Sequence, residues 1–374
     1  MRREWWATAL FFSTNGAVYG SIFPRLPEVV ERYGLTPGML GFILVVPVVT
    51  SLIGSAVGGR TVLRFGARQT SRISLVVLAT SLGLLVVSPH IAGLVVALAV
   101  LGLADGVMDV GMNMHALDME IRGGRPILQG LHAAWTAGAL TAALASGIVA
   151  GDVPLVVHIA VAGTILGAVG VVLPSWWEPV RTAIPRRQDG SRRALGWMAL
   201  VAVAVSLSES VPLDWASVFT TEVFGSAPAT AAAATATALG GMLAGRIAGD
   251  RVIGRLGPRR TLVAFSTLAG VGAIAISLSP NTAVAFVSLA LAGMGSSVMF
   301  PGIISIAGRI SDDGIAAVTA SARLGFMIGP VMTGVVAERF GFRPTMLLPT
   351  LAAIAVGLWA GLSVQVSDPV RPSS

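Results

Sequence analysis

The sequence predicts an all-α membrane protein of twelve transmembrane helices in two parallel, pseudo-symmetric six-helix halves. Three observations predict it. First, 54% of the 374 residues are hydrophobic and only 11% are charged, where a soluble globular chain carries about 25% charged residues. So little charge cannot cover a water-facing surface of this size, which excludes a soluble enzyme. The same apolar excess excludes intrinsic disorder. Second, the chain divides into twelve apolar stretches, each near the ~20 residues that a membrane-crossing helix needs. Third, it repeats itself at a shift of 191 residues.

The first span covers 5–32. Arg2 and Arg3 precede it, but it leads into further spans, so it reads as a helix and not as a cleaved signal peptide. Asn15 and Tyr19, four apart on one face, are candidate substrate ligands. Arg25 stands between Pro24 and Pro27 near the outer end. Spans two (37–59) and three (70–88) flank a loop with Arg60, Arg64 and Arg68.

Span four (91–118) places Asp105, Asp109 and Asn113 on one face. A charge at mid-bilayer costs about 2.5–3.5 kcal/mol on insertion scales, so it marks a functional candidate. Two carboxylates one turn apart disfavour double ionisation, as a proton carrier requires. Either carboxylate is a candidate proton site. A structural hydrogen-bonded role and a sodium site with Asn113 are the alternatives. His115 and Asp118 lack further ligands at suitable spacing, so no metal site is expected.

Span five (127–150) sets Gln129, His132 and Trp135 on one face, polar groups beside a ring able to stack on a ligand. The alternative for His132 is a hydrogen-bonded contact between helices. Span six (153–173) carries only His158. Residues 174–194 hold five arginines and read as a cytoplasmic linker between an N-terminal half (1–173) and a C-terminal half (195–374).

Span seven (195–221) contains Glu209, Pro212, Asp214 and Trp215. Pro breaks helices, and broken helices in transporters line cavities. Glu209 is a third candidate for proton coupling. Asp214 is placed to gate the outer mouth with Arg25, or to be solvated there. Span eight (229–249) leads into a loop where Asp250 can contact Arg246 and Arg251 and hold one conformation. Arg60 and Arg64 occupy the matching loop of the first half. Spans nine (261–279), ten (282–308) and twelve (345–365) complete the count with span eleven (315–337), which carries Arg323. Arg323 cannot readily lose its proton. It is expected to pair with Glu209 or to hold a substrate carboxylate.

All 25 basic residues are arginines, and the net charge is +7. With the N-terminus inside, most fall in cytoplasmic segments, as the positive-inside bias requires. The charge therefore reads as topology, and no nucleic-acid partner is expected. The absence of cysteine excludes disulfides and thiolate metal sites. No phosphate loop, dinucleotide fingerprint or nucleophile elbow is present, which argues against an ATP-driven pump. No cofactor is expected.

At the 191-residue shift Gly54 meets Gly245, and Gly58 meets Gly249. Arg60, Arg64, Gly66 and Arg68 meet Arg251, Arg255, Gly257 and Arg259, Pro89 meets Pro280, and His132 meets Arg323. A shift of six spans preserves direction, so these are parallel repeats with a site expected near the midplane between them.

The segment from Gly58 through Arg60, Arg64 and Gly66 to Arg68 resembles the loop signature of the major facilitator superfamily. Gly245 through Gly249, Asp250, Arg251, Gly257 and Arg260 resembles its second copy. Within that superfamily the chain is similar to the bacterial YbjJ-like group, related to fucose permease, through Arg25-Leu26-Pro27, Asp109, Asn113, Glu120, His132, Glu209, Asp214 and Trp215. It departs from the pattern at Leu63, where the first loop normally has an acid. It departs again in the first span, which offers Asn15 and Tyr19 where fucose permease has a carboxylate. The resemblance places spans one, four, seven and ten around the cavity, and implies Asp109 as the proton site, with Asp105 as coupling partner or substrate ligand. It implies a proton-coupled, alternating-access secondary transporter of a small polar, sugar-like solute, working as a monomer in the bacterial inner membrane with both termini cytoplasmic. Drug or metabolite efflux by antiport, and uncoupled uniport, are the alternative modes.

Overall fold

The computed structural model describes residues 2–123, 127–179, 192–300, 302–303 and 312–363. Among these residues the chain is helical, with no strand. The span-one helix runs Arg2–Ile22, breaks into a short turn at Phe23–Arg25, and resumes as Leu26–Tyr33. Pro24 and Pro27 explain the break, because each removes a backbone donor, and Gly34 closes the helix in a left-handed cap at φ 59°. The expected single span over 5–32 is therefore two helices with a joint.

Spans two and three form one run, Pro37–Val87, that turns at Gly66 (φ 80°, ψ 154°). Spans eight and nine form another, Pro228–Leu278, turning at Gly257 (φ 77°, ψ 161°). Both runs are 51 residues long and open on a proline. The repeat is thus kept at both helix ends and at the turn. Span four is Ile91–Gly123, span five Leu128–Val149 and span six Leu155–Val172. Span seven is Arg192–Phe224, with Pro212 inside. Span ten is described as Thr282–Ser296 and a further short stretch. Span eleven is Asp312–Phe340, with Pro330 inside. The span expected over 345–365 opens instead as a short turn, Phe342–Thr345, before Leu348–Ser363.

Seven described helices are long and apolar enough to cross a membrane. The count is below twelve partly because the Pro37–Val87 run holds two crossings, and because span ten is described only in part, with Thr282–Ser296 as a shorter apolar helix. It also falls because spans one, eight and eleven dilute their apolar residues with Thr, Gly and charge.

Helices in lipid associate by close packing of small residues, since no hydrophobic difference drives them together. The repeat shows this contact by contact. A Cβ on Gly102 would overlap the Pro47 carbonyl oxygen, and one on Gly293 the Ala238 carbonyl oxygen. Gly54 faces Leu103 as Gly245 faces Met294. Spans two and four, and spans eight and ten, are locked alike. Spans three and six pair, as do spans nine and twelve. Apart from Leu85, none of their residues lines the central cavity.

Arg60, Arg64 and Arg68 at one turn, and Arg251, Arg255 and Arg259 at the other, mark one end of the molecule and are exposed. At the far end the halves meet closely. Gly38 abuts the Glu338 carboxylate, Gly41 abuts the Pro330 carbonyl, Gly334 abuts the Pro37 carbonyl, and the Ser217 hydroxyl donates to the Phe23 carbonyl at 2.8 Å.

Candidate functional site

Between the halves lies a cavity of about 450 Å³, within the ~300–1,000 Å³ usual for small-molecule sites. Its polar level is built from spans one, four, five, seven, eight and eleven. The Trp135 indole N–H donates to Asn15 Oδ1 at 2.6 Å, and the Asn15 amide donates to Asp105 Oδ1 at 3.0 Å. This relay joins spans five, one and four. Tyr19 lines the same wall, its ring centroid 6.1 Å from that of Trp135.

One turn along span four, the Asn113 amide donates to the carbonyl of Asp109 at 2.8 Å and to its Oδ1 at 2.7 Å. The other Asp109 oxygen faces Arg323 of span eleven at 3.5 Å, and Arg323 also reaches the Ser51 hydroxyl at 3.4 Å. A second bridge joins the halves nearer the arginine end. Arg246 of span eight lies 3.4 Å from Glu209 and donates to the His132 carbonyl at 3.3 Å and to the Thr136 hydroxyl. The His132 ring opens onto the cavity and meets Phe12 edge-on at 5.6 Å. The Arg323–Asp109 and Arg246–Glu209 pairs are long for hydrogen bonds, so they hold mainly by charge.

The structure therefore gathers Asn15, Tyr19, Asp105, Asp109, His132, Trp135, Glu209, Asp214 and Arg323 on one cavity wall or another. Asn113 buttresses Asp109 from behind. The Gln129 and Asp250 side chains lie outside the described residues. Several expected pairings are corrected. Arg323 takes Asp109, not Glu209, and Glu209 takes Arg246. Arg25 does not face Asp214: it is buried, pairs with Glu28, and donates to the Val153 carbonyl at 2.9 Å. Asp214 is not solvated at an outer mouth but lines the cavity. Arg251 donates to the Ile247 carbonyl of its own helix at 3.3 Å, and Arg64 lies over the neighbouring Phe65 ring.

Three contributors escaped the sequence reading, Ser51, Ser210 and Thr235, and a fourth, Arg246, was expected as a gate contact of Asp250 and not in the cavity. Arg246 had a signal, because it falls inside the apolar run of span eight and not in the loop beyond it. A further cluster lies at the arginine end. Glu4 accepts from Arg122 at 2.7 Å and from the Glu178 backbone N–H at 3.2 Å, while Arg122 holds Asp118 at 2.8 Å. The His115 ring stacks on Trp177 at 4.1 Å. The Glu4 hydrogen bond, with support from Asp118, raises the Arg122 guanidinium above its usual range against the opposing effect of burial.

Comparison with known proteins gives a consistent set. The sequence profile of the Major Facilitator Superfamily matches residues 7–309 and 198–374. The chain is 29% identical to an uncharacterized transporter of Sinorhizobium fredii, over 99% of both chains. It is 26% identical to membrane protein MosC of Rhizobium meliloti, over 94% of this chain and 87% of that one. Among solved structures it resembles a bacterial homolog of the human lysosomal transporter Spinster (13% identity, 96% of this chain and 95% of that one, TM-score 0.77). It also resembles the xylose transporter XylE of E. coli (13%, 96% and 99%, TM-score 0.76) and the E. coli fucose:proton symporter (15%, 95% and 97%, TM-score 0.61).

Proposed function

The chain belongs to the major facilitator superfamily and is a multi-pass membrane transporter, not an enzyme; from that premise we propose that it moves a small polar organic solute by alternating access, coupled to protons. The arginine end faces the cytoplasm, residues 174–194 link the two halves, and the described conformation is shut at the far end. One observation carries the reading. Among the described residues two arginines bridge the halves at cavity depth, Arg323 to Asp109 and Ser51, and Arg246 to the span-five Thr136 hydroxyl and His132 carbonyl. A proton arriving on Asp109 cancels the charge that holds Arg323 to span four, and so weakens the contact between the halves. Loading with protons and rearrangement thereby become one event, and the lost ion pair supplies the differential energy that a two-state switch needs.

The test is transport by purified protein in liposomes, using solutes first selected by thermal shift. Wild type should accumulate its solute only under an imposed pH gradient. Asp109→Asn should still exchange solute across the membrane but lose gradient-driven accumulation. Accumulation by Asp109→Asn equal to wild type would remove Asp109 from coupling.

A further inference from the structure

The cargo can be narrowed, on the premise of the transport reading above. Four carboxylates line the cavity, Asp105, Asp109, Glu209 and Asp214, against two arginines. Arg323 faces Asp109 and Arg246 faces Glu209. Asp105 accepts from the neutral Asn15 amide and has no ion pair within 4 Å among the described residues, and Tyr19 lines the cavity with it. Asp214 has neither ion pair nor hydrogen bond among the described residues. With its carboxylates ionised the unliganded cavity is thus short of positive charge, and the shortage is sharpest at Asp214.

A second, independent observation lies beside it. Ser210, one turn earlier on the same face of span seven, and Thr235 of span eight both line the cavity and are 2% exposed. Neither hydroxyl has a hydrogen-bond partner among the described residues. Other hydroxyls in these two helices find a carbonyl, one turn back for Ser206, Thr220 and Thr237 and across to another helix for Ser208 and Ser217. A buried hydroxyl left unused costs stability, and two of them in helices that line one cavity with an unpaired carboxylate describe a site waiting for donors.

We propose that Asp214, Ser210 and Thr235 form a subsite for a protonated amine, and that the transported solute is an organic cation. An ammonium group has three donors, one positive charge and no acceptor. The subsite offers three acceptor groups and one negative charge. A neutral solute leaves the charge shortage in place, and an anion meets four carboxylates. Asp214 lies one turn below Ser217, whose hydroxyl closes the far end on Phe23. Beside it the cavity is walled by Phe23, Leu26, Leu40, Leu44 and Leu94. An amine on Asp214 therefore rests its apolar flank in this lobe and turns its polar groups toward Asn15 and Trp135.

Binding of two matched pairs of probes to the purified full-length protein tests the subsite. The pairs are 2-phenylethylamine with 2-phenylethanol, and glucosamine with glucose, measured by titration calorimetry and thermal shift. In wild type each amine should bind tighter than its neutral partner by about tenfold or more, the scale of one charge-assisted hydrogen bond. Asp214→Asn should abolish that preference. The double variant Ser210→Ala with Thr235→Val should bind the amines roughly fivefold more weakly, yet melt no lower than wild type without ligand, because it removes two unsatisfied hydroxyls. Equal binding of the neutral partners, no binding of either amine, or a preference that survives Asp214→Asn overturns the proposal. So does a double variant that melts lower and binds amines unchanged. Gradient-driven uptake of a neutral solute in place of amines overturns the subsite and leaves the transport reading standing. Amine binding without gradient-driven flux does the reverse.

Discussion

Glu4, placed just before the first apolar residue, ties three parts of the chain together. It is 3% exposed and receives Arg122 from the end of span four and the Glu178 N–H from the segment after span six. Burial alone would push its carboxyl up. The Arg122 hydrogen bond, the Glu178 N–H and the positive charge nearby outweigh burial and hold it below the ordinary range. A carboxyl lowered on folding stabilises the fold above its unfolded pKa of about 4.3, and that contribution is lost as pH falls through the folded value. Wild type should therefore melt higher than Glu4→Gln at neutral pH, and the gap should close on acidification below about pH 4. Parallel melting curves for the two proteins down to pH 3 would show that Glu4 contributes no titrating stability. At this scale the sequence was legible in part. It put Asp105, Asp109, Glu209 and Arg323 in the cavity, because ionised groups rarely survive elsewhere in lipid. It mispaired Arg323, because a helical position fixes depth but not which of three carboxylates at similar depth lies opposite. Ser210 and Thr235 were invisible, because a helical hydroxyl normally bonds its own backbone and only the packed structure shows one that does not.

The helical elements follow the repeat more faithfully than the side chains do. Gly66 and Gly257 stand at equivalent turns with φ near +80° and extended ψ, a region that is essentially reserved for glycine. An added Cβ would meet nothing within 4 Å at either position, so a substitution there acts on the backbone alone. Gly66→Ala and Gly257→Ala should each cost about 1–3 kcal/mol, adding when combined because the turns belong to different halves. Gly59 and Gly254 also have open space around them but are helical. There alanine should stabilise by up to about 1 kcal/mol. Denaturation in graded detergent mixtures would compare the four. Equal effects at the turn and helical glycines would mean that positive φ is not what these loops require. The matched arginines and glycines of the two loops disclosed both turns from sequence. The joint at Phe23–Arg25 was less visible, since Pro24 and Pro27 read equally well as kinks within one continuous span.

At the scale of the whole molecule, the described state is held shut at the far end by small residues set against carbonyl oxygens. Gly41 packs on Pro330, Gly334 on Pro37 and Gly38 on Glu338. Such a seal suits the opening there that the alternating-access proposal requires. In lipid, helices adhere through van der Waals fit and polar contacts and not through the hydrophobic effect, so a flat glycine contact closes well and parts cheaply. The two-half architecture was legible from the repeat, but which end is closed was not, because both conformations bury the same sequence pattern. The seal predicts how one substitution redistributes the two states. In Gly41→Trp the indole cannot be accommodated against the Pro330 carbonyl, and overpacking of this kind costs about 1–3 kcal/mol. That cost falls on the far-closed state alone, so the far-open population should rise roughly tenfold or more. Val29 reports the change: it lines the cavity behind the seal and is 5% exposed. The chain has no cysteine, so Val29→Cys introduces a single thiol. A membrane-impermeant maleimide applied from the far side of intact spheroplasts should label Val29→Cys slowly and Val29→Cys/Gly41→Trp at least several times faster. Equal labelling rates would mean that the glycine contact does not set the balance between the two states.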